Sequence, residues 1–300
     1  MKILITALLC GVPFFFYGGP GAHGRRSFVA LWDLGHVFYF SLASLWLYKY
    51  FQYRFPGHSF SSVSLKVFLI VLFLGVSVEG LQMYSGDRSP DIIDILRNQL
   101  GCLITLAILY PQKGYKKIVF LCVVLVLSNV ALIPLVRGWT DEWIARNQFP
   151  VLSDFETGYE VDRWKSEEKI CIQKRIVRHG NQALRVQLTT DKYSGISLEY
   201  FQGDWRGFRD LFFSVYLPED DPLEIVCRVH DSAHANHYND RFNRKFLLKQ
   251  GWNDIVVSLE DVENGPRNRL LNLAEIQNFK IFVVEQEKKR LIYLDYVYLE

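Results

Sequence analysis

Apolar residues run in unbroken blocks along the first half of the chain and alternate with polar ones along the second. A helix needs roughly 20 apolar residues to cross a hydrocarbon core, because every backbone polar group there must be satisfied within its own segment. Four stretches reach or approach that length: Phe28–Tyr50, Leu65–Met83, Ile92–Tyr110 and Ile118–Val136. A fifth, Ile3–Tyr17, is shorter and follows Lys2, as a signal-peptide core would. Bulky aromatics persist up to the glycines of "FFFYGGPGAHG" where a small-residue cleavage site belongs, which favours a retained helix.

After "RGWTDEWIARNQFP" the pattern changes to short alternating runs, the period of a half-buried strand. Nine runs qualify: "CIQKRIV", "ALRVQLTT", "GISLEYF", "LFFSVYLP", "LEIVCRVH", "KFLLK", "DIVVSL", "FKIFVVE" and "IYLDYVYLE". Turn signals such as "RHGN", "PEDDP" and "KQGWN" separate them, and only "LNLAEIQN" reads as a helical turn. Many short strands at regular spacing predict a sandwich or jelly roll. The expected fold class is therefore a multi-domain membrane protein. An α-helical transmembrane bundle of about five spans fills residues 1–136, an interfacial linker 137–150, and an all-β sandwich or jelly roll 151–300.

Charge sharpens the division. Residues 1–150 carry thirteen Lys and Arg against seven Asp and Glu, a net of +6, whereas residues 151–300 carry 21 against 25, a net of −4. No basic run interleaved with aromatics suggests nucleic acid as a partner. With five spans the two ends lie on opposite sides of the membrane. A cytoplasmic N-terminus puts Lys2, Lys49, Arg54, Lys66, Lys113, Lys116 and Lys117 inside and Arg25, Arg26, Arg88, Arg137 and Arg146 outside. The bias is modest, but by the positive-inside rule it places the second half outside the cytoplasm. Cys10, Cys102 and Cys122 lie in apolar runs, where cysteine behaves as a small hydrophobe. Cys171 and Cys227 are left, and they are free to pair only in an oxidising compartment.

Polar side chains inside spans are costly and point to function or to mutual satisfaction. Asp33 and His36 are three residues apart, Glu79 and Gln82 three, and Asp94 and Asn98 four, so each pair shares a helix face. In the expected topology all three pairs, with Arg88 and Arg97, reach one depth near the outer surface. One reading is a set of interhelical hydrogen bonds or a helix cap; the other is a shared polar cavity.

The segments "WDLGHVFYFSLASLWLY" and "EGLQMYSGDRSPDIIDILRNQLG" carry these residues and resemble the VanZ-like membrane family over about residues 5–110. Asp33, His36, Glu79, Gln82, Arg88, Asp94, Asn98 and Gly101 stand at that family's motif positions. Leu34 departs from it, since the family often has lysine there. The resemblance implies a bacterial envelope protein of a family linked to glycopeptide resistance, and a theme rather than a reaction.

The order "DFE…W…ALRV…WRGF…LFFSVYLP…HDSAH…DRFN…GWNDIVVSLED…IYLDYVYLE" resembles the galactose-binding-like jelly rolls used as carbohydrate-binding modules. In such modules acidic residues near the two ends of the domain often hold a structural calcium ion. The resemblance puts Glu156 and Asp295 in that place, with surface charge or hydrogen bonding to backbone as the alternative. The segment "RVHDSAHANHYNDRFN" concentrates His230, Asp231, His234, Tyr238, Asp240 and Arg241. Planar hydrogen-bonding groups can bridge sugar hydroxyls and an aromatic face can stack on the ring, with Trp205 as a further platform. A transition-metal site or a plain solvated loop are the competing readings.

The leading expectation is a non-enzymatic protein of the bacterial cytoplasmic membrane. Its partners would be membrane lipids and an envelope glycan or lipid-linked head group, with no cofactor beyond possible calcium. The alternative is a membrane-embedded hydrolase or transferase using Glu79, Asp94 and His36 in acid–base roles. A transporter ranks third, because five spans show no internal repeat.

Overall fold

The computed structural model describes residues 2–16, 19, 24–83, 91–111 and 113–300, so Arg88 lies outside the described residues. The chain forms two compact units, Met1–Gly138 and Trp139–Glu300.

The first unit is helical: α1 (Lys2–Gly11), extended by a 3-10 turn over Val12–Phe15, then α2 (Arg26–Arg54), α3 (Phe60–Gln82) and α4 (Ile92–Leu109). The helix α5 (Tyr115–Gln148) begins here and contains Pro134. By length and composition α2 to α5 are able to cross a membrane, whereas α1 is too short, so four of the five expected spans reach spanning length. On α3 the buried residues Val63, Val67, Val71, Gly75 and Glu79 recur every fourth position, giving one narrow stripe. Along that stripe the side chains are small until Glu79. Gly101 serves the same close packing on α4, because a Cβ there would lie 2.3 Å from the Val37 carbonyl oxygen of α2. Ser41 and Thr105 then link the two helices: Ser41 Oγ donates to Gly101 O at 3.0 Å, and Thr105 Oγ1 donates to Ser41 O at 2.8 Å.

Residues 137–148 continue α5 instead of forming a separate linker, and the boundary between units falls at Gly138. The reason lies inside the second unit. Arg163, fully buried, donates from Nε to Asp141 Oδ1 at 2.8 Å and from Nη1 to Leu152 O at 2.7 Å, so the last turns of the helix belong to the β unit.

The β unit contains β1 (Val151–Ser153), β2 (Trp164–Ser166), β3 (Cys171–Gln173), β4 (Ala183–Leu188), β5 (Tyr193–Leu198) and β6 (Asp210–Leu217). It continues with β7 (Leu223–Asp231), β8 (Phe242–Leu248), β9 (Gly251–Ser258), a short helix α6 (Leu259–Glu263), β10 (Ile276–Val284) and β11 (Arg290–Leu299). One sheet has the order β3-β4-β11-β6-β9, with β1 also on β11; the other has the order β2-β5-β10-β7-β8. Every pairing is antiparallel.

All nine expected strands form. The three-residue β1 and β2 are too short to show alternation. The inward positions of both sheets make one core that includes Leu184, Ile196, Phe213, Cys227 and Phe279. Each large apolar side chain buried there is worth roughly 1.5–3 kcal/mol. Cys227 therefore points into the core from one sheet while Cys171 sits on an outer strand of the other, and both are free thiols.

Candidate functional site

Two clusters of polar side chains stand out, one in each unit. In the helical unit, His36, Glu79 and Asn98 are buried on α2, α3 and α4, although most large side chains on those helices' outer surfaces are apolar. His36 Nδ1 lies 2.9 Å from Asn98 Oδ1 and its Nε2 lies 3.4 Å from Asp94 Oδ2. Glu79 Oε2 accepts the backbone N–H of Asp91 at 2.7 Å, which ties the end of α3 to the start of α4. Arg97 bridges the acids, with Nη1 at 2.5 Å from Asp94 Oδ1 and Nη2 at 3.1 Å from Asp33 Oδ2. Asp33, His36, Glu79, Asp94 and Asn98 thus meet across three helices. Gln82 is buried too, but its Nε2 donates to Phe15 O at 2.9 Å and so secures the 3-10 turn.

In the β unit the histidine-rich segment proves to be largely an internally braced loop. Asp231, fully buried, accepts both Nη atoms of Arg269 and the Asn272 N–H. Asp240 accepts Arg269 Nε at 2.6 Å and the Ala235 N–H at 2.8 Å. The Arg269 contacts hold the Asp240 carboxyl at about 2 and, against the opposing effect of burial, leave Asp231 below the usual carboxylate range. These two aspartates therefore brace a loop, and their lone pairs are already in use. Trp205 is 0% exposed and donates Nε1 to Gln202 O, so its ring belongs to the core and has no face for stacking. Tyr238 remains 69% exposed, with Arg241 packed 5.3 Å from its ring centroid.

The more open polar surface is the outer face of the five-stranded sheet, and the sequence reading missed it. Register aligns Lys165 with Ser197, Ser197 with Lys280, Lys280 with Arg228, and Arg228 with Asn243, one residue from each strand. At 4.7–4.9 Å per strand this row is roughly 19 Å long. One end of it borders a cavity of about 250 Å³ lined by Lys165, Ser166, Glu167, Tyr193, Gly195, Ser197, Glu199 and Lys280. Gly195 keeps its floor bare, since a Cβ there would lie 2.1 Å from Ile281 O. Tyr193, half exposed, meets the Phe282 ring edge-on at 5.9 Å.

Charge on this face is unevenly paired. Lys165 is bound to Glu199 at 2.5 Å. Lys280, Arg228 and Arg241 have no carboxylate within ion-pair distance among the described residues. Burial pulls all three below their ordinary values, Arg228 to about 10, and the neighbouring cations add to the effect for Arg228 and Lys280. Arg228 instead donates to imidazoles: Nη2 lies 3.1 Å from His230 Nδ1 and 3.3 Å from His234 Nε2. His234 Nδ1 lies 2.8 Å from Asp240 O, which fixes Nδ1 as the donor and Nε2 as the acceptor. The signal for the row was present in "CRVH" and "FKIF", each a lone cation between apolar neighbours in a strand.

Glu156 and Asp295 grip opposite ends of one loop. Asp295 Oδ2 accepts the N–H groups of Arg178 and His179, and Glu156 Oε1 those of Asn181 and Gln182. Asp295 is buried at a bulge in β11, where Tyr296 adopts φ 49°, and its Oδ1 has no partner among the described residues. That single oxygen fits a cation ligand, although among the described residues no group of three acidic side chains converges there.

No family model and no curated protein matches the sequence. Among solved structures, the β half is similar to a family 11 carbohydrate-binding module from Clostridium thermocellum in complex with a β-1,3-1,4-mixed-linked tetrasaccharide. Identity is 20%, coverage 50% of this chain and 93% of that one, and TM-score 0.38. A carbohydrate-binding module specific for non-crystalline cellulose shares 14% identity over 51% of this chain and 94% of that one, with a TM-score of 0.36. An exo-β-agarase shares 14% identity over 50% of this chain but only 24% of its own length, with a TM-score of 0.41. With every TM-score below 0.5 these likenesses are descriptive, and the β-sandwich rests on its own strand pairing.

Proposed function

We propose that this chain is a membrane-anchored envelope protein whose β-sandwich binds an acidic glycan across the outer face of its five-stranded sheet. The observation that carries this is the row of Lys280 and Arg228 beside an open polar cavity, with neither cation neutralised by a carboxylate. A half-buried cation without a counter-ion costs stability, and a uronate, phosphate or sulfate group would supply the missing charge. Sugar hydroxyls would meet Ser197, Asn243 and Glu199, and Tyr193 offers a ring face for stacking.

Support for the membrane part is the inverted polarity of the helical unit. Phe73, Leu125 and Ile133 are exposed, while His36, Glu79 and Asn98 are inside, the distribution a hydrocarbon solvent requires. The lysine and arginine distribution supports an extracytoplasmic β unit. A second reading, a membrane-embedded hydrolase or transferase, is favoured by the convergence of Glu79, Asp94 and His36.

The test uses the full chain in detergent, titrated with acidic and neutral polysaccharides by calorimetry. Acidic polymers should bind, more weakly as salt rises. Equal affinity for neutral polymers would remove the acidic preference, and binding to neither would remove the glycan reading. A C-terminal reporter fusion separately tests the topology, and a cytoplasmic signal would reverse it.

A further inference from the structure

The polar cluster of the helical unit has the construction of a metal site. His36, Glu79 and Asp94 come from three different helices, and one ligand atom of each lies within 4.8 Å of the others. It is the only such cluster of imidazole and carboxylate groups among the described residues.

What separates it from a chance meeting of polar groups is how each side chain is held. Asn98 Oδ1 accepts from His36 Nδ1 at 2.9 Å, so Nδ1 carries a ring proton, and Nε2 lies 3.4 Å from Asp94 Oδ2. Arg97 occupies Asp94 Oδ1 and leaves Oδ2, 3.4 Å from His36 Nε2. The Asp91 N–H occupies Glu79 Oε2 and leaves Oε1. Glu79 is only 4% exposed, and Oε1 has no hydrogen-bond partner among the described residues. Each residue thus has one atom held by a supporting group, and one ligand atom of each lies within 4.8 Å of the others, the arrangement that outer-shell partners give to metal ligands. An orphaned carboxylate oxygen in such surroundings is expensive unless a proton or a cation completes it.

The separation between His36 Nε2 and Asp94 Oδ2 is compatible with a small ion. Ligands about 2.0–2.1 Å from a tetrahedral zinc are roughly 3.3–3.4 Å apart, which matches the His36 to Asp94 separation. The mixed nitrogen and oxygen donors suit a first-row divalent ion better than calcium. We infer that His36 Nε2, Glu79 Oε1 and Asp94 Oδ2 bind a divalent transition-metal ion of the zinc type. Asn98 and Arg97 act as positioning residues. Three protein ligands leave a fourth position for water or for an anionic oxygen of a ligand. This site shares no residue with the sheet face, and its failure would leave the glycan reading intact.

The experiment is metal analysis of the full chain, purified in detergent without chelator, freed of any affinity tag and reconstituted with zinc. The expected result is about one equivalent of zinc that survives desalting, and a melting temperature that falls on chelation and recovers on adding zinc. Cobalt substitution should give visible absorption bands from a low-symmetry site. Glu79→Gln keeps the side-chain shape and the N–H acceptor, so it should accumulate normally and bind zinc at least ten-fold more weakly. Asn98→Asp should restore orientation of His36 and retain zinc, whereas Asn98→Leu should weaken it. Less than about a tenth of an equivalent in reconstituted wild type, with no response of the melting temperature to chelator or zinc, overturns the site. So does undiminished zinc binding in Glu79→Gln.

Discussion

Lys280 on β10 stands directly opposite Arg228 on β7, and neither has a carboxylate within ion-pair distance among the described residues. Like charges facing each other across a sheet are destabilising, by an amount comparable to the roughly 0.2–1 kcal/mol that favourable pairs contribute. A protein selected for stability alone has no use for such a pair on two central strands.

The first prediction follows from that cost. Lys280→Met keeps the packing against Phe282, whose ring centroid lies 5.6 Å from Nζ, and removes the repulsion. Its melting temperature should equal or exceed wild type, while binding of acidic polysaccharide should weaken about ten-fold, or about 1.4 kcal/mol. A variant that loses stability and keeps its affinity would assign Lys280 to the fold.

Acid should loosen the loop over residues 231–240 late. Asp231 and Asp240 both have carboxyls below their ordinary values, Asp240 at about 2. For a depressed group the stabilisation is complete above the unfolded value of about 3.9 and is lost as pH falls through the folded one. Hydrogen exchange in this loop should therefore stay slow to about pH 4 and rise between there and pH 2. Arg269→Ala should expose the loop to exchange at neutral pH; unchanged protection would show that other contacts hold it.

The pair Arg163–Asp141 predicts where the β unit can be cut. Removing one member of a buried ion pair typically costs about 3–5 kcal/mol. A fragment beginning at Trp139 should melt cooperatively and well above one beginning at Val151, which leaves Arg163 without its carboxylate. Equal melting temperatures for the two fragments would show that water satisfies Arg163 in the shorter one.

Calcium remains a proposal for the loop over residues 178–182. An ion bound through Asp295 Oδ1 should raise the melting temperature of the wild-type protein by mass action and leave Asp295→Asn unmoved. If calcium and chelator change neither protein, Asp295 serves only to accept the Arg178 and His179 N–H groups. In that case Asp295→Ala should still cost about 1–3 kcal/mol, because buried donors are left unsatisfied.

Periodicity by itself determined the division into a helical and a β half, nine of the eleven strands and the helices α2 to α5, because burial on one face imposes a period that local sequence carries. It also put Asp33 with His36 and Asp94 with Asn98 on single helix faces, since three- and four-residue spacings fix a face before any packing occurs, whereas packing of α2, α3 and α4 brought these residues and Glu79 together. Other features depended on neighbours distant in sequence. Trp205 looked like a platform and is core, and Asp231 and Asp240 looked like ligand groups and are consumed by Arg269, which lies 29 to 38 residues further along. The end of α5 looked like a linker until Asp141 met Arg163. The row from Lys165 to Asn243 draws one residue from each of five strands, and only strand order and register, set by closure of the shared core, place those residues in line.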